Sequence, residues 1–241
     1  MPPDSENPGL HRVHYQLRAT GIKDPNANPL RSGIHGRGYL PHVKHEGAEY
    51  FLTFRLGDSL PQEVLRRFES ECAERIRFAR EATPRRRSAG PDEQLAKRQL
   101  RQKIERYLDQ GVGACHLARP EIAELVAGSL QFFHQERYLL HEWVVMPNHV
   151  HAMVWPMPNY LLSNILKSWK QFTGLRANRI LGKEGKRFWQ PESYDHWIRS
   201  DEERSNISRY IRDNPVAAGL CARPEDWRWS SAWSPSRSAD C

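Results

Sequence analysis

His149 and His151 stand one residue apart in VVMPNHVHAMVWP, residues 144–156, a run that otherwise reads as buried strand. Side chains alternate along a strand, so both imidazoles point to one face while Val150, Ala152 and Val154 point to the other. At about 7 Å between backbone positions, the two rings can converge on one divalent ion. With nitrogen and oxygen donors and no cysteine nearby, Mg²⁺ or Mn²⁺ suits such a site, and so does catalytic zinc. A third donor is required, and His196, His141, or a carboxylate or amide from the last helix could supply it. The competing reading is a pair of strand histidines hydrogen-bonded to their neighbours.

A second chemical group lies further on. In the helix expected over 201–214, Ile207, Tyr210, Ile211 and Asn214 fall at i, i+3, i+4 and i+7, so they share a face toward the sheet. Tyr210 is then either a core tyrosine with one hydrogen-bond partner or a nucleophile. Unaided it is a poor one, because a phenol with a pKa near 10 is only about 0.1% ionised at pH 7. Tyr194, in ESYDHW, is the rival; it shares a strand face with His196 and Ile198 and reads more simply as a sheet packer.

The elements that must position these groups follow from periodicity and punctuation. AEYFLTFRL, 48–56, is the first strand, and PQEVLRRFESECAERIRFAREA after it has helical period. TPRRRSAGPD breaks that helix, a second and highly charged helix spans 91–109, and Gly111 and Gly113 close it. A third helix starts at Pro120. RYLLHEWVV and HVHAMVWP, joined only by Met146-Pro147-Asn148, form an antiparallel hairpin. A long helix over 160–181 and a strand in RFWQPESYDHWIRS come next. Ser200 and Glu203, at capping-box spacing, then open a short helix that Pro215 should stop. The three tryptophans of GLCARPEDWRWSSAW are expected to pack back on the domain.

This order predicts an α+β fold, a ferredoxin-like, mostly antiparallel sheet packed with helices. We divide the chain into an irregular N-terminal arm at 1–47, a main domain at 48–233 with a charged helical insertion at about 84–117, and a tail at 234–241. The arm carries His35, His42 and His45.

Composition narrows the partners. Lys and Arg number 36 against 29 Asp and Glu, a formal charge of +7 with pI near 9.4, which suits a polyanion and nucleic acid first. The four cysteines form no C-x-x-C pair, so neither a zinc ribbon nor a disulfide framework is indicated. No run of 18 apolar residues and no basic-then-apolar leader is present, so the expectation is a soluble cytoplasmic protein with no membrane partner.

VVMPNHVHAMVWP, SWKQFTGLRANRILG, FWQPESYDHWIR and RYIRDNPVAAGL, in this order, resemble the single-tyrosine transposases of the HUH superfamily, in particular the REP-associated tyrosine transposases. The resemblance covers residues 48–58 and 118–233 and implies the HUH endonuclease fold. It implies that His149 and His151 hold a divalent metal, Mg²⁺ or Mn²⁺, and that Tyr210 is the nucleophile. Asn214 matches the position from which related transposases supply a polar third ligand, commonly glutamine. The implied reaction cuts and rejoins single-stranded DNA beside hairpins through a 5′-phosphotyrosine. Lys167, Lys170, Arg176, Arg179, Lys183, Lys186 and Arg187 would then contact phosphates, and Trp169 or Trp189 would stack on a base. Relatives act as monomers or homodimers. The alternatives are a domesticated protein that grips hairpin DNA without cutting it, and a metal-dependent hydrolase in which water replaces tyrosine.

Overall fold

A computed structural model of the chain describes residues 33–37, 40–44, 47–82 and 91–235. Within the stretch read as an irregular arm, Gly33–Arg37 (β1) and Leu40–Lys44 (β2) pair as an antiparallel ladder that sets His35 opposite His42. The strands are short, β1 carries two glycines and β2 a proline, so no alternation announces them, and cross-strand pairing supplies what local pattern does not. His45 lies outside the described residues.

Tyr50–Arg55 (β3), Tyr138–Val145 (β4), His149–Pro156 (β5) and Tyr194–Trp197 (β6) form one sheet in the order β4-β5-β3-β6, every neighbouring pair antiparallel. Relative to one another these strands follow the ferredoxin-like order, with two crossover helices on one face. The fold is therefore α+β, as the element pattern predicts. Five α-helices complete the described residues: Gln62–Ala82 (α1), Pro91–Asp109 (α2), Pro120–Gln131 (α3), Leu162–Leu181 (α4) and Asp201–Ala217 (α5). None is long and apolar enough to cross a membrane.

Alternation along β3 and β5 separates two apolar layers. Leu52, Phe54, Val150, Ala152 and Val154 pack against Ile122, Val126 and Leu130 of α3 and Ile165, Trp169 and Ala177 of α4. The polar ends of buried rings are satisfied in a chain, with Trp169 Nε1 donating to Tyr138 Oη at 3.0 Å and Tyr138 Oη donating to the Leu130 carbonyl at 2.8 Å. On the opposite face Phe51 and Met153 meet Ile211 of α5, with Tyr210 and Tyr194 packed at the margin. The helical and strand periods thus place α5 over the face that carries the two histidines.

Two local features aim the site. Gly113 has φ +97°, and a Cβ there would lie 2.9 Å from the Asp58 carbonyl oxygen, so only glycine brings the end of α2 back against the exit of β3. Ser200 caps α5 by accepting from the Glu203 amide at 3.1 Å, while Glu203 reaches back to accept from the Arg199 amide at 2.8 Å. Pro215 does not stop this helix, which runs on to Ala217. Proline removes only the one N–H that would have bonded Ile211. Ala218 donates to the Asn214 carbonyl at 3.0 Å and Leu220 to that of Pro215 at 2.9 Å, closing the end.

Candidate active site

His149 and His151 are 1% and 0% exposed, and their Nε2 atoms lie 3.0 Å apart. Their other ring nitrogens are engaged: His149 Nδ1 lies 2.7 Å from Asn148 Oδ1, and His151 Nδ1 lies 2.8 Å from Thr53 Oγ1. Asn148 fixes a tautomer. Its Nδ2 donates to the Leu108 and Val112 carbonyls, each at 3.0 Å, so the atom facing His149 is an oxygen, which only accepts. His149 therefore carries its proton on Nδ1 and offers a bare lone pair at Nε2. Burial keeps both rings neutral, holding His149 down to about 3 and His151 well below the usual histidine range, the latter with a further contribution from His149. Neutral, oriented imidazoles are the form that can ligate a metal.

Tyr210, one helical turn before Asn214, places its hydroxyl 3.2 Å from His151 Nε2. Its ring stands edge-on to Phe51, which in turn stacks on His151, so three aromatic groups fix one another. Burial, then the charges of Glu105 and Asp109, push the phenol up, partly offset by a hydrogen bond from Asn214 and the charge of Arg101. The structure thus brings together all four groups singled out on β5 and α5.

It also adds three that sequence reasoning missed. Arg101, Glu105 and Asp109 lie at i, i+4 and i+8 on α2, the charged helix read as an insertion, and form one stripe toward the site. Asp109 Oδ1 comes within 3.9 Å of His149 Nε2. Burial raises the Asp109 carboxyl to about 6 against a lowering hydrogen bond from Asn214, and it raises Glu105 to about 7, with Arg101 lowering and Asp109 raising it further. Arg101 Nη1 donates to Tyr194 Oη at 2.7 Å. The usable signal is the spacing of these charges beside Ile104 and Leu108, a mixed stripe unlike a solvated face.

The remaining candidate ligands are held elsewhere. His141, at the β4 bulge, lies 2.6 Å from Glu49 Oε1, and His196 lies 2.7 Å from Glu203 Oε1. Tyr194 stacks on His196 and packs edge-on to Phe51. Of the basic residues, Lys167, Arg176, Arg179, Lys183, Lys186 and Arg187 are exposed. Lys170 is not free for phosphate: its Nζ donates to the Gln190 and Pro191 carbonyls at 2.5 and 2.8 Å and to Ser193 Oγ at 3.0 Å, and burial lowers it to about 8. Trp169 and Trp189 are core residues, buried against Phe54.

Among solved structures, the chain is similar to a REP-associated tyrosine transposase bound to a REP hairpin, at 18% identity over 82% of this chain and 81% of that one, with a TM-score of 0.43. It is also similar to a protein from Deinococcus radiodurans described as a transposase, at 16% identity over 76% of this chain and 98% of that one, with a TM-score of 0.29. No curated protein sequence matches it. The family model of IS200-like transposases matches residues 121–214, a window that spans nearly all of α3, then β4, β5, α4, β6 and most of α5, and leaves out β3 and α2. The similarity to IS200-like transposases thus lies in residues 121–214, the part of the chain that carries His149, His151, Tyr210 and Asn214.

Proposed function

We propose that the protein cleaves and rejoins single-stranded DNA at hairpin-flanked sites, with Tyr210 as nucleophile and a Mg²⁺ or Mn²⁺ ion held by His149, His151 and Asn214. One observation carries this reading: the Tyr210 hydroxyl lies 3.2 Å from a histidine nitrogen that is itself 3.0 Å from a second one. Two ligand atoms, each about 2.1 Å from one ion and at right angles about it, are about 3 Å apart, so the imidazole spacing fits two donors on one cation. The Asn214 side chain adds an oxygen at the same place, 2% exposed and with Oδ1 unpartnered among the described residues. When bound, the ion supplies Lewis acidity at a nonbridging phosphate oxygen and positive charge against Glu105 and Asp109.

The chain's own groups do the rest. His151 and Phe51 hold the Tyr210 ring so that Oη meets a phosphate seated over the histidines. Oη forms a bond to phosphorus, the bond from phosphorus to the 3′ oxygen breaks in line with it, and the phenolic proton ends on that 3′ oxygen. The products are a 5′-phosphotyrosine and a free 3′-hydroxyl. Because one phosphodiester replaces another, a second 3′-hydroxyl can reverse the step without ATP. Burial, then the charges of Glu105 and Asp109, raise the phenol in the protein without metal, so the cation's positive charge beside it would favour the phenolate that attacks.

The test is a denaturing gel of the full chain incubated with labelled hairpin-flanked single-stranded DNA and Mn²⁺, comparing wild type with Tyr210→Phe. The expected result is a covalent protein–DNA band that the variant lacks. Cleavage that survives in Tyr210→Phe would move the chemistry to Tyr194 or to water, and tight binding without cleavage by wild type would make the protein a hairpin-DNA binder.

A further inference from the structure

The charged helix α2 lies outside the residues that match the transposase family, yet its last residue enters the site. Asp109 Oδ1 is buried 3.9 Å from His149 Nε2 and has no hydrogen-bond partner among the described residues. Asn214 Oδ1, beside it, is the same: buried and unpartnered among the described residues. A buried acceptor without a donor is destabilising, and more so when charged. Here two such oxygens converge with the lone pair of His149 Nε2 and the second imidazole nitrogen 3.0 Å away. The Asp109 and Asn214 oxygens and the His149 lone pair are three acceptors gathered in one place, and a cation is a ligand that satisfies all three, even with Asn214 also hydrogen-bonded to the Asp109 carboxyl.

The surroundings hold Asp109 in this position. Asn148 grips the carbonyls of Leu108 and Val112, on either side of Asp109 in the chain, and with its other end orients His149. One side chain therefore sets both the aspartate-bearing turn and the imidazole, the kind of outer support that metal ligands receive in metalloproteins. Arg101, two turns earlier on the same stripe, donates to Tyr194 Oη at 2.7 Å.

We propose that Asp109 is a ligand of the divalent ion, completing with His149, His151 and Asn214 a set of two nitrogens and two oxygens. The inference rests on the reading of the histidine pair as metal-binding. A carboxylate in the set adds a negative charge and a hard oxygen, which favours Mg²⁺ and Mn²⁺ over softer ions. It also gives α2 a function: the helix is a fourth wall of the catalytic centre, contributed from outside the residues that match the family.

The experiment is calorimetric titration of Mn²⁺ into the full chain after removal of metal by chelator, for wild type, His149→Ala, Asp109→Asn and Asp109→Glu, with Co²⁺ absorption recorded on each. Wild type should bind one ion, His149→Ala should lose it, and Asp109→Asn should bind at least about tenfold more weakly. The Co²⁺ bands should change in position or intensity in both Asp109 variants, because a changed first-sphere oxygen alters the ligand field whereas a merely structural role leaves it unaltered. Asp109→Glu keeps the charge and supplies this spectral test even where Asp109→Asn folds poorly. Wild-type affinity and an unaltered Co²⁺ spectrum in the Asp109 variants, with binding lost in His149→Ala, would overturn the inference and leave the histidine reading standing. Failure of wild type to bind the ion would overturn both.

Discussion

Asn148 decides the chemistry of its neighbour. An asparagine can present either end to an imidazole, and here two carbonyls claim the amide nitrogen and leave the oxygen for His149. Asn148→Ala should therefore act twice. The buried Leu108 carbonyl and the part-buried Val112 carbonyl lose their donor, costing on the order of 2 kcal/mol in a urea unfolding curve. Freed of its acceptor, His149 can protonate Nε2 instead, and Mn²⁺ affinity in the same titration should fall about 10- to 100-fold. A variant that is destabilised but binds the ion as wild type does would show that the tautomer is set elsewhere. At this scale the sequence was informative where spacing is periodic: alternation put His149 with His151, and the helical repeat put Tyr210 with Asn214. It was silent on Asp109, because no local period links a residue at 109 to one at 149; only the turn at Gly113 and the grip of Asn148 bring them together.

Among the elements, α2 shows most clearly what a linear reading misses. Its charges are dense enough to look like a solvated surface, yet Glu105 is well shielded and raised to about 7 by burial and Asp109, against the pull of Arg101. The sign follows from proton counting. A carboxyl whose pKa is higher in the fold than in the open chain retains its proton longer when folded, so its contribution to stability falls as pH rises from about 4.5 to about 7. His149 and His151, lowered by burial, act in the opposite direction below pH 6.5, so the wild-type profile alone mixes the two effects. The difference between wild type and Glu105→Gln separates them. In metal-free protein the variant should gain stability relative to wild type progressively across that window, by ~3 kcal/mol at its upper end, as read from urea midpoints at several pH values. A difference independent of pH would mean that Glu105 titrates normally. The other elements were legible because their signals are local: Ser200 and Glu203 for the start of α5, the Met146-Pro147-Asn148 turn for the hairpin, the apolar stripe for α3. Pro215 misled because proline excludes a helix that continues far beyond it and tolerates one with a single turn left.

For the whole molecule, charge and layering act together. The formal charge of +7 is displayed in part by Lys167, Arg176 and Arg179 on α4, which packs on the sheet face opposite the histidines. Lys183, Lys186 and Arg187 instead lie on the segment that is bonded to the exit of β3 through the Gly57 amide and the Phe188 carbonyl at 2.9 Å, near the end of the sheet where His149 begins β5. DNA entering the site should meet this second group. The slope of log affinity against log salt for a single-stranded probe should therefore drop by about 2 in the triple alanine variant at 183, 186 and 187, at roughly 0.7 per phosphate contact. Fluorescence anisotropy across a salt series measures it, and an unchanged slope would remove these three residues from the interface. A last consequence lies at the far side of the sheet. The segment after α5 returns to β4: Val145 donates to the Trp229 carbonyl at 2.8 Å, Ser231 donates to that of Trp143 at 2.9 Å, and Trp227 Nε1 donates to the Val145 carbonyl at 3.0 Å. These residues occupy the backbone groups that an outermost strand otherwise presents to any passing chain. The tryptophan segment thus shields the outer edge of β4 at Trp143–Val145 from pairing with another strand.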